Sequence, residues 1–263
     1  VIHVLQLSDP HLLADPQGRC RGRQALACLH QGWTAALRQL QAPPDWLLIS
    51  GDLCQDESLG GYVRLRQWLE QAVLPLGVAV ALLPGNHDHP GLLRCALGRT
   101  AALAPGGLSL PGWGLLLLNS HRPGAVEGWL EPRQLAWLDT QLVGAGPPLL
   151  VALHHPPLAI GSPELDAIGL RQGPELLDRL LTSPRVRGLV CGHVHQHWQA
   201  LVPRPGGGDP LPLWSCPSTL ASFTAVQPCP LRQADHPGGR LLRLGAEGEI
   251  TTELLRWLPG PAA

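Results

Sequence analysis

Five short apolar runs, each broken by a cluster of Asp, Asn or His, constrain this chain more than any other feature. Residues 1–7 run into Ser8-Asp9-Pro10-His11, 46–49 into Ser50-Gly51-Asp52, and 78–83 into Pro84-Gly85-Asn86-His87-Asp88. Residues 149–153 run into His154-His155, and 188–191 into Gly192-His193-Val194-His195. Short apolar runs bounded by Gly or Pro read as buried strands. Each cluster alone is an ordinary polar turn, but five in succession at the same end of five strands exceed chance. In open α/β sheets ligands bind at the carboxyl edge of the strands, so the pattern brings distant residues to one crevice.

Between the runs the period changes. Residues 24–41 place Leu26, Leu29, Trp33, Leu37 and Leu40 at three- and four-residue spacing, and 59–73 repeat it through Tyr62, Leu65, Leu69 and Val73. Both stretches predict amphipathic helices. A further helix opens at Pro132, and 174–181 form a short one. Strand alternating with helix is the mark of a parallel sheet. After residue 197 the character changes: 198–202 with 211–215, and 240–244 with 250–257, read as antiparallel hairpins. Loops are expected at 14–23, 119–128 and 158–173. No Ser-rich or charged linker divides the chain, so one domain is expected over 1–263.

Composition removes several classes. Hydrophobic residues at 44% against 15% charged support a substantial core and exclude disorder. A formal charge of -1 gives no broad field for nucleic acid, so no stable nucleic-acid partner is expected. The seven cysteines contain no CxxC pair and read as free thiols of a reducing compartment. No apolar run approaches the length of a membrane span, and the cytoplasm is the expected setting.

The ligand types carry the chemistry. Asp9, His11, Asp52, Asn86, His154, His193 and His195 are too many for one tetrahedral ion and suit two divalent ions sharing a carboxylate. Oxygen and imidazole donors without thiolate suit manganese, iron, zinc or cobalt. Two such ions, roughly 3.5–4 Å apart, clamp the attacking and leaving oxygens of a phosphoryl displacement, and a water between them is acidified toward hydroxide.

Asp9-Pro10-His11, Gly51-Asp52, Gly85-Asn86-His87-Asp88, His154 and Gly192-His193-Val194-His195 together resemble the signature of the calcineurin-like metallophosphoesterases. More narrowly, the chain resembles the bacterial class III 3',5'-cyclic nucleotide phosphodiesterases. That likeness rests on Asp9-Pro10-His11-Leu12-Leu13 followed by Gly22, on Gly51-Asp52-Leu53-Cys54-Gln55-Asp56, on residues 165–171 and on Pro217-Ser218-Thr219. The resemblance implies an α/β four-layer sandwich, two packed mixed β-sheets flanked by helices. It implies one ion on Asp9, His11 and His195, a second on Asn86, His154 and His193, and Asp52 bridging them, with iron or manganese foremost and zinc or cobalt open. His87 is then expected to face the scissile phosphate and Asp88 to orient it. The implied reaction is hydrolysis of 3',5'-cyclic AMP or another small phosphodiester, by in-line attack of a bridging hydroxide with His87 assisting the leaving oxygen. The same ligands also serve enzymes acting on a nucleotide-sugar lipid precursor, a glycerophosphodiester or nucleic acid. A non-catalytic scaffold predicts lost ligands, and none is lost. A homodimer is left open.

Asn86, His87 and Arg171 are expected to touch substrate; Arg171 and Asp166 are read as lining its entrance or, equally, as salt-bridged residues of their loop. His155 is expected to point away from His154 and to pack. His3, His30, His89, His121, His197 and His236 are expected to stay off the metals. Trp129 and Trp198 read as core or rim, with stacking on a base as the alternative. Leu220-Ala221-Ser222-Phe223 departs from the relatives' pattern in a stretch expected to border the nucleotide.

Overall fold

The computed structural model describes residues 1–259; residues 260–263, which the expected domain includes, lie outside the described residues. In chain order its elements are β1 (Ile2–Leu7), β2 (Arg19–Cys20), β3 (Arg23–Gln24), α1 (Ala25–Gln39), β4 (Trp46–Ser50), α2 (Leu59–Ala72), β5 (Ala79–Leu83), α3 (Pro90–Leu97) and β6 (Ala102–Leu103). There follow β7 (Gly106–Leu110), β8 (Trp113–Leu117), α4 (Pro132–Leu142), β9 (Leu149–Ala152), α5 (Pro163–Asp166), α6 (Gly173–Thr182) and β10 (Val186–Cys191). The last four are β11 (Gln199–Val202), β12 (Leu211–Ser215), β13 (Gly238–Leu244) and β14 (Ile250–Arg256).

The result is the α/β architecture expected: two six-stranded mixed sheets, ordered β14-β13-β1-β4-β5-β6 and β11-β12-β10-β9-β8-β7. Within the first sheet β1, β4 and β5 run parallel side by side; within the second, β8, β9, β10 and β12 do. The pairs β13–β14 and β11–β12 are the antiparallel hairpins.

Alternation along each strand explains the layers. Val4, Leu48, Ala81 and Leu83 point from the first sheet toward Leu115, Leu117, Leu150, Ala152 and Val190 of the second, forming the central core. Their neighbours Leu5, Leu7, Leu47, Ile49 and Leu82 point the other way, onto Leu29, Trp33, Leu65 and Leu93 of α1, α2 and α3. Val151, Leu189 and Leu213 likewise meet Leu135, Leu138, Leu176 and Leu180 of α4 and α6. Strands covered on both faces read as continuous apolar runs, which is why the sequence shows no alternation in them.

The 14–23 loop is not wholly irregular, since Arg19–Cys20 and Arg23–Gln24 pair as a small hairpin. Among the described residues no helix is long and apolar enough to cross a membrane.

Candidate metal centre

The parallel strands β1, β4 and β5 end side by side, as do β9 and β10, and backbone pairing continues past their ends. Asp9 N–H donates to Gly51 O (3.1 Å), His11 N–H to Asp52 O (2.9 Å) and Gly192 N–H to His154 O (3.0 Å). Asp9, His11, Asp52, His193 and His195 all have φ between +48° and +68°. Left-handed backbone costs a non-glycine residue on the order of 1–3 kcal/mol and gathers at functional sites. Here it turns each strand end so that the side chain reaches the rim where the two sheets meet.

Glycine makes the close approach feasible. A Cβ on Gly51, whose φ is +103°, would lie 2.1 Å from His154 Nδ1; one on Gly85 would lie 2.2 Å from Asp52 Oδ1. Gly51 and Gly85, which precede Asp52 and Asn86, are therefore contact points between loops.

The side chains converge. Asp9, His11, Asp52 and His195, all buried, each bring a ligand atom within 4.8 Å of the others. His11 Nε2 stands 3.1 Å from His195 Nε2, and His195 Nε2 stands 3.3 Å from Asp9 Oδ1. On the other side His154 Nε2 lies 3.3 Å from Asn86 Oδ1 and 3.4 Å from Asp52 Oδ1, while the His154 and His193 rings are 5.1 Å apart. Asp52 turns one oxygen to each group: Oδ1 to His154, and Oδ2 to His11 Nε2 at 3.8 Å.

Backbone carbonyls select the tautomers. His154 Nδ1–H donates to Ser50 O (2.8 Å) and His195 Nδ1–H to Ala221 O (3.0 Å), so in the neutral rings both Nε2 lone pairs face the cluster. A lone pair aimed at carboxylate and amide oxygens is repulsive unless a proton or a cation stands between them. Buried Asp9 Oδ1 and His193 Nε2 also lack hydrogen-bond partners. A pair of cations would satisfy all of these donors at once, so the residues fit a metal centre. Without one, a proton does part of the task. Burial lowers His154, yet the charge and hydrogen bond of Asp52 outweigh it and raise the ring to about 9. Burial likewise pushes Asp52 up, and His154 overrides it to hold that carboxyl well below the usual range.

The rings of His11, His193 and His197 are buried neutral. Burial depresses His11 to about 4, and burial with the His154 charge depresses His193 to about 3. Burial and Arg240 hold His197 at about 4. These folded values lie below the 6.5 of an ordinary imidazole. Below that pH the unfolded chain takes up protons that the folded chain refuses. Stability contributed above pH 6.5 is therefore lost as pH falls toward 4, at about 1.4 kcal/mol per pKa unit and group. Asp88, pushed up to about 7, works the other way over this range, but one such group does not offset three. The urea midpoint of the metal-free protein is therefore expected to drop between pH 7 and pH 4.5; an unchanged midpoint would contradict the buried neutral rings.

Several expectations need correction. Asp88 does not orient His87: its fully buried carboxylate accepts from the backbone N–H groups of Gly85, Leu53 and Cys54 and from Tyr62 Oη. Burial and Asp52 push that carboxyl up to about 7. The partner of the His87 ring is Gln55, with Nε2 3.2 Å from Nδ1, and the His87 backbone N–H donates to Asp52 Oδ1 (3.0 Å). His155 does not point away from its neighbour; its ring packs 4.9 Å from His154 and 4.7 Å from His193. Both its nitrogens are engaged, Nε2–H on Val126 O and Nδ1 with Ser120 Oγ, which leaves none for a metal. For Arg171 the salt-bridged alternative describes the contacts, since it is exposed and pairs with Glu127 (3.4 Å), while Asp166 accepts from Ile160 N–H and Gly161 N–H within its own loop. Trp198 is core, as expected, and Trp129 lies under the Arg122 guanidinium.

Other contacts had no signal in the sequence. His121 Nδ1–H donates to Gly85 O (3.0 Å) and, with Glu57, Asn86, His87 and Val126, it lines a cavity of about 360 Å³. Phe223 stacks on His195 at 4.2 Å with Arg21 over its other face, so the 220–223 stretch does border the cluster. The buried Arg240 guanidinium, on Ser215 O and Thr252 Oγ1, also donates to His197 Nδ1 (3.0 Å), two residues beyond His195.

Sheets packed face to face, with acid, amide and imidazole donors at their shared carboxyl rim, match the Calcineurin-like phosphoesterase family over residues 2–197, and the chain belongs to that family. It is 46% identical to a protein of Synechococcus sp. (strain WH7803) named a probable cyclic nucleotide phosphodiesterase, over 97% of this chain and 96% of that protein. It is 35% identical to the Pseudomonas aeruginosa 3',5'-cyclic adenosine monophosphate phosphodiesterase CpdA, over 96% of this chain and 89% of that one. A dimetal phosphatase from Danio rerio superposes with a TM-score of 0.63 at 14% identity, covering 97% of this chain and 99% of that structure, a likeness of fold. Family and donor set together imply a dinuclear metal site in a metal-dependent phosphoester hydrolase.

Proposed function

We propose that this protein hydrolyses a 3',5'-cyclic nucleotide, cyclic AMP first, opening the ring to a monoester. The observation that carries the reading is the placement of Asp52, which turns one carboxylate oxygen to each of two buried ligand groups. Asp9, His11 and His195 would hold one divalent ion and Asn86, His154 and His193 the other, with Asp52 shared. Iron or manganese suits these hard and borderline donors best, with zinc and cobalt accommodated. Bound there, the ions supply Lewis acidity to the phosphoryl oxygens and lower the pKa of a coordinated water. The near-full-length likeness to cyclic nucleotide phosphodiesterases supports the choice of substrate.

The chain's own residues do the rest. His87, half-buried beside Asn86 and anchored through its backbone to Asp52, presents its ring where the phosphorus and the departing oxygen would lie. The cavity between His87 and His121 has room for the group attached to phosphorus. The seven cysteines are all free, which fits a cytoplasmic setting.

Turnover of cyclic AMP, cyclic GMP and bis(p-nitrophenyl) phosphate with manganese, iron, zinc and cobalt tests the reading. Cyclic AMP should be the best substrate, and a chelator should abolish its hydrolysis. Absence of turnover on every diester with both ions measurably bound would sink it. His87→Ala should keep its metal while losing about 10²–10³ in kcat; full activity in the folded variant would remove His87 from the mechanism.

A further inference from the structure

We propose that Gln55 is a positioning residue that decides which nitrogen of His87 carries the proton, an inference that rests on the function proposed above. The Gln55 backbone is fixed three residues beyond Asp52, its N–H donating to Leu12 O (2.8 Å). Its side-chain Nε2 meets His87 Nδ1 at 3.2 Å, and its Oε1 lies 3.6 Å from Cys20 Sγ on β2. The amide faces the ring with its NH₂ and the thiol with its oxygen, which accepts the S–H proton. An amide N–H aimed at Nδ1 requires a lone pair there, which leaves the proton on Nε2.

His87 is therefore held as a preorganised Nε2–H donor. Its backbone is tied to Asp52 at one end and its ring to Gln55 at the other. The ring then offers a hydrogen bond to charge developing on the departing oxygen. Such donors contribute most where charge develops most. The benefit should therefore grow as the leaving group worsens. A carboxylate at position 55 would demand a proton on Nδ1; the glutamine amide brings its own. Asp88, the sequence neighbour, takes no part, since its oxygens are committed to Gly85, Leu53, Cys54 and Tyr62.

The test uses the full chain loaded with zinc, which is diamagnetic. Two-bond ¹H–¹⁵N correlation spectra of the histidine rings, with the His87 pattern assigned by its loss in His87→Gln, should show Nε2 protonated and Nδ1 bare. Gln55→Met should relax that pattern toward a mixture of tautomers. In turnover, Gln55→Met should lower kcat about 10–100-fold, the range for a group that orients a reacting side chain, on a diester with an alkyl leaving group. KM should shift by less than about 2-fold, and bis(p-nitrophenyl) phosphate should suffer less, because its leaving group needs little help. Gln55→Met with His87→Ala should be no slower than His87→Ala alone. A His87 ring protonated on Nδ1 in the unaltered protein overturns the proposal, as does a double variant that shows the full additive loss. If no diester is hydrolysed, the proposed function falls, and the spectra still decide the tautomer.

Discussion

Asp52→Ala is expected to abolish metal-dependent turnover and to leave fewer than two ions per chain. Its carboxylate sets one oxygen against an imidazole of each ligand group: Oδ1 stands 3.4 Å from His154 Nε2 and Oδ2 3.8 Å from His11 Nε2, and Oδ1 also accepts the His87 backbone N–H. Alanine removes the shared charge and leaves the buried imidazoles with Asp9 alone as counter-charge. It also frees the backbone that carries His87. Losing one preorganised group typically costs about 10²–10³ in rate, and three functions are lost here at once, so the drop in kcat/KM should exceed about 10³-fold. Elemental analysis of the purified variant gives the second readout. A folded Asp52→Ala protein with two ions and a tenth of the parental rate would refute the bridging role. Asn86→Ala should be milder in metal content, since His154 and His193 remain on that side, yet it too should lose turnover.

Much of this arrangement is legible in the sequence because the strands end where the chemistry begins. The runs before Asp9, Asp52, Asn86, His154 and His193 correspond to β1, β4, β5, β9 and β10, and the helices over 24–41 and 59–73 to α1 and α2, within a residue or two. Elements whose local signals compete were invisible. Helix α3 opens on Pro90-Gly91, which reads as a continued turn; Pro sits at its first position and His89 Nδ1 caps it by accepting from Leu92 N–H. Strand β7 contains Gly106 and Gly107 and gains its register only by pairing with β8. The division into two sheets came from the family resemblance, because runs buried on both faces look alike in either sheet.

Within the site, the role that the resemblance implied for Asp88 gives way to the geometry. Asp88 follows His87 yet faces inward to the backbone of residues 53, 54 and 85, whereas Gln55, 32 positions earlier, meets the ring. No periodicity announces such a contact. The left-handed backbone at Asp9, His11, Asp52, His193 and His195 was equally hidden, since none of these residue types requires it. That strain is tolerated because the paired strand ends and the packed loops over-determine the backbone at those positions.

Gly51→Ala should follow from the same crowding as a large loss of both stability and metal retention. Two costs coincide at this position. The backbone sits at φ +103°, and an added Cβ would lie 2.1 Å from His154 Nδ1 and 2.6 Å from its Cγ. His154 cannot retreat, for its Nδ1–H is bound to Ser50 O at 2.8 Å and its ring is fully buried against His155 and His193. Left-handed strain of about 1–3 kcal/mol joins overpacking of about 1–3 kcal/mol. At about 2–4 °C per kcal/mol for a domain of this size, Tm should fall by about 10 °C. Gly112 isolates the first cost: its φ is +75° and nothing lies within 4 Å of its would-be Cβ. Gly112→Ala should therefore lower Tm by only a few degrees, about the effect of 1 kcal/mol, and keep both ions. Equal Tm values for the two variants, or a Gly51→Ala protein that binds two ions as the parent does, would mean that the loop before Asp52 yields more easily than its packing implies.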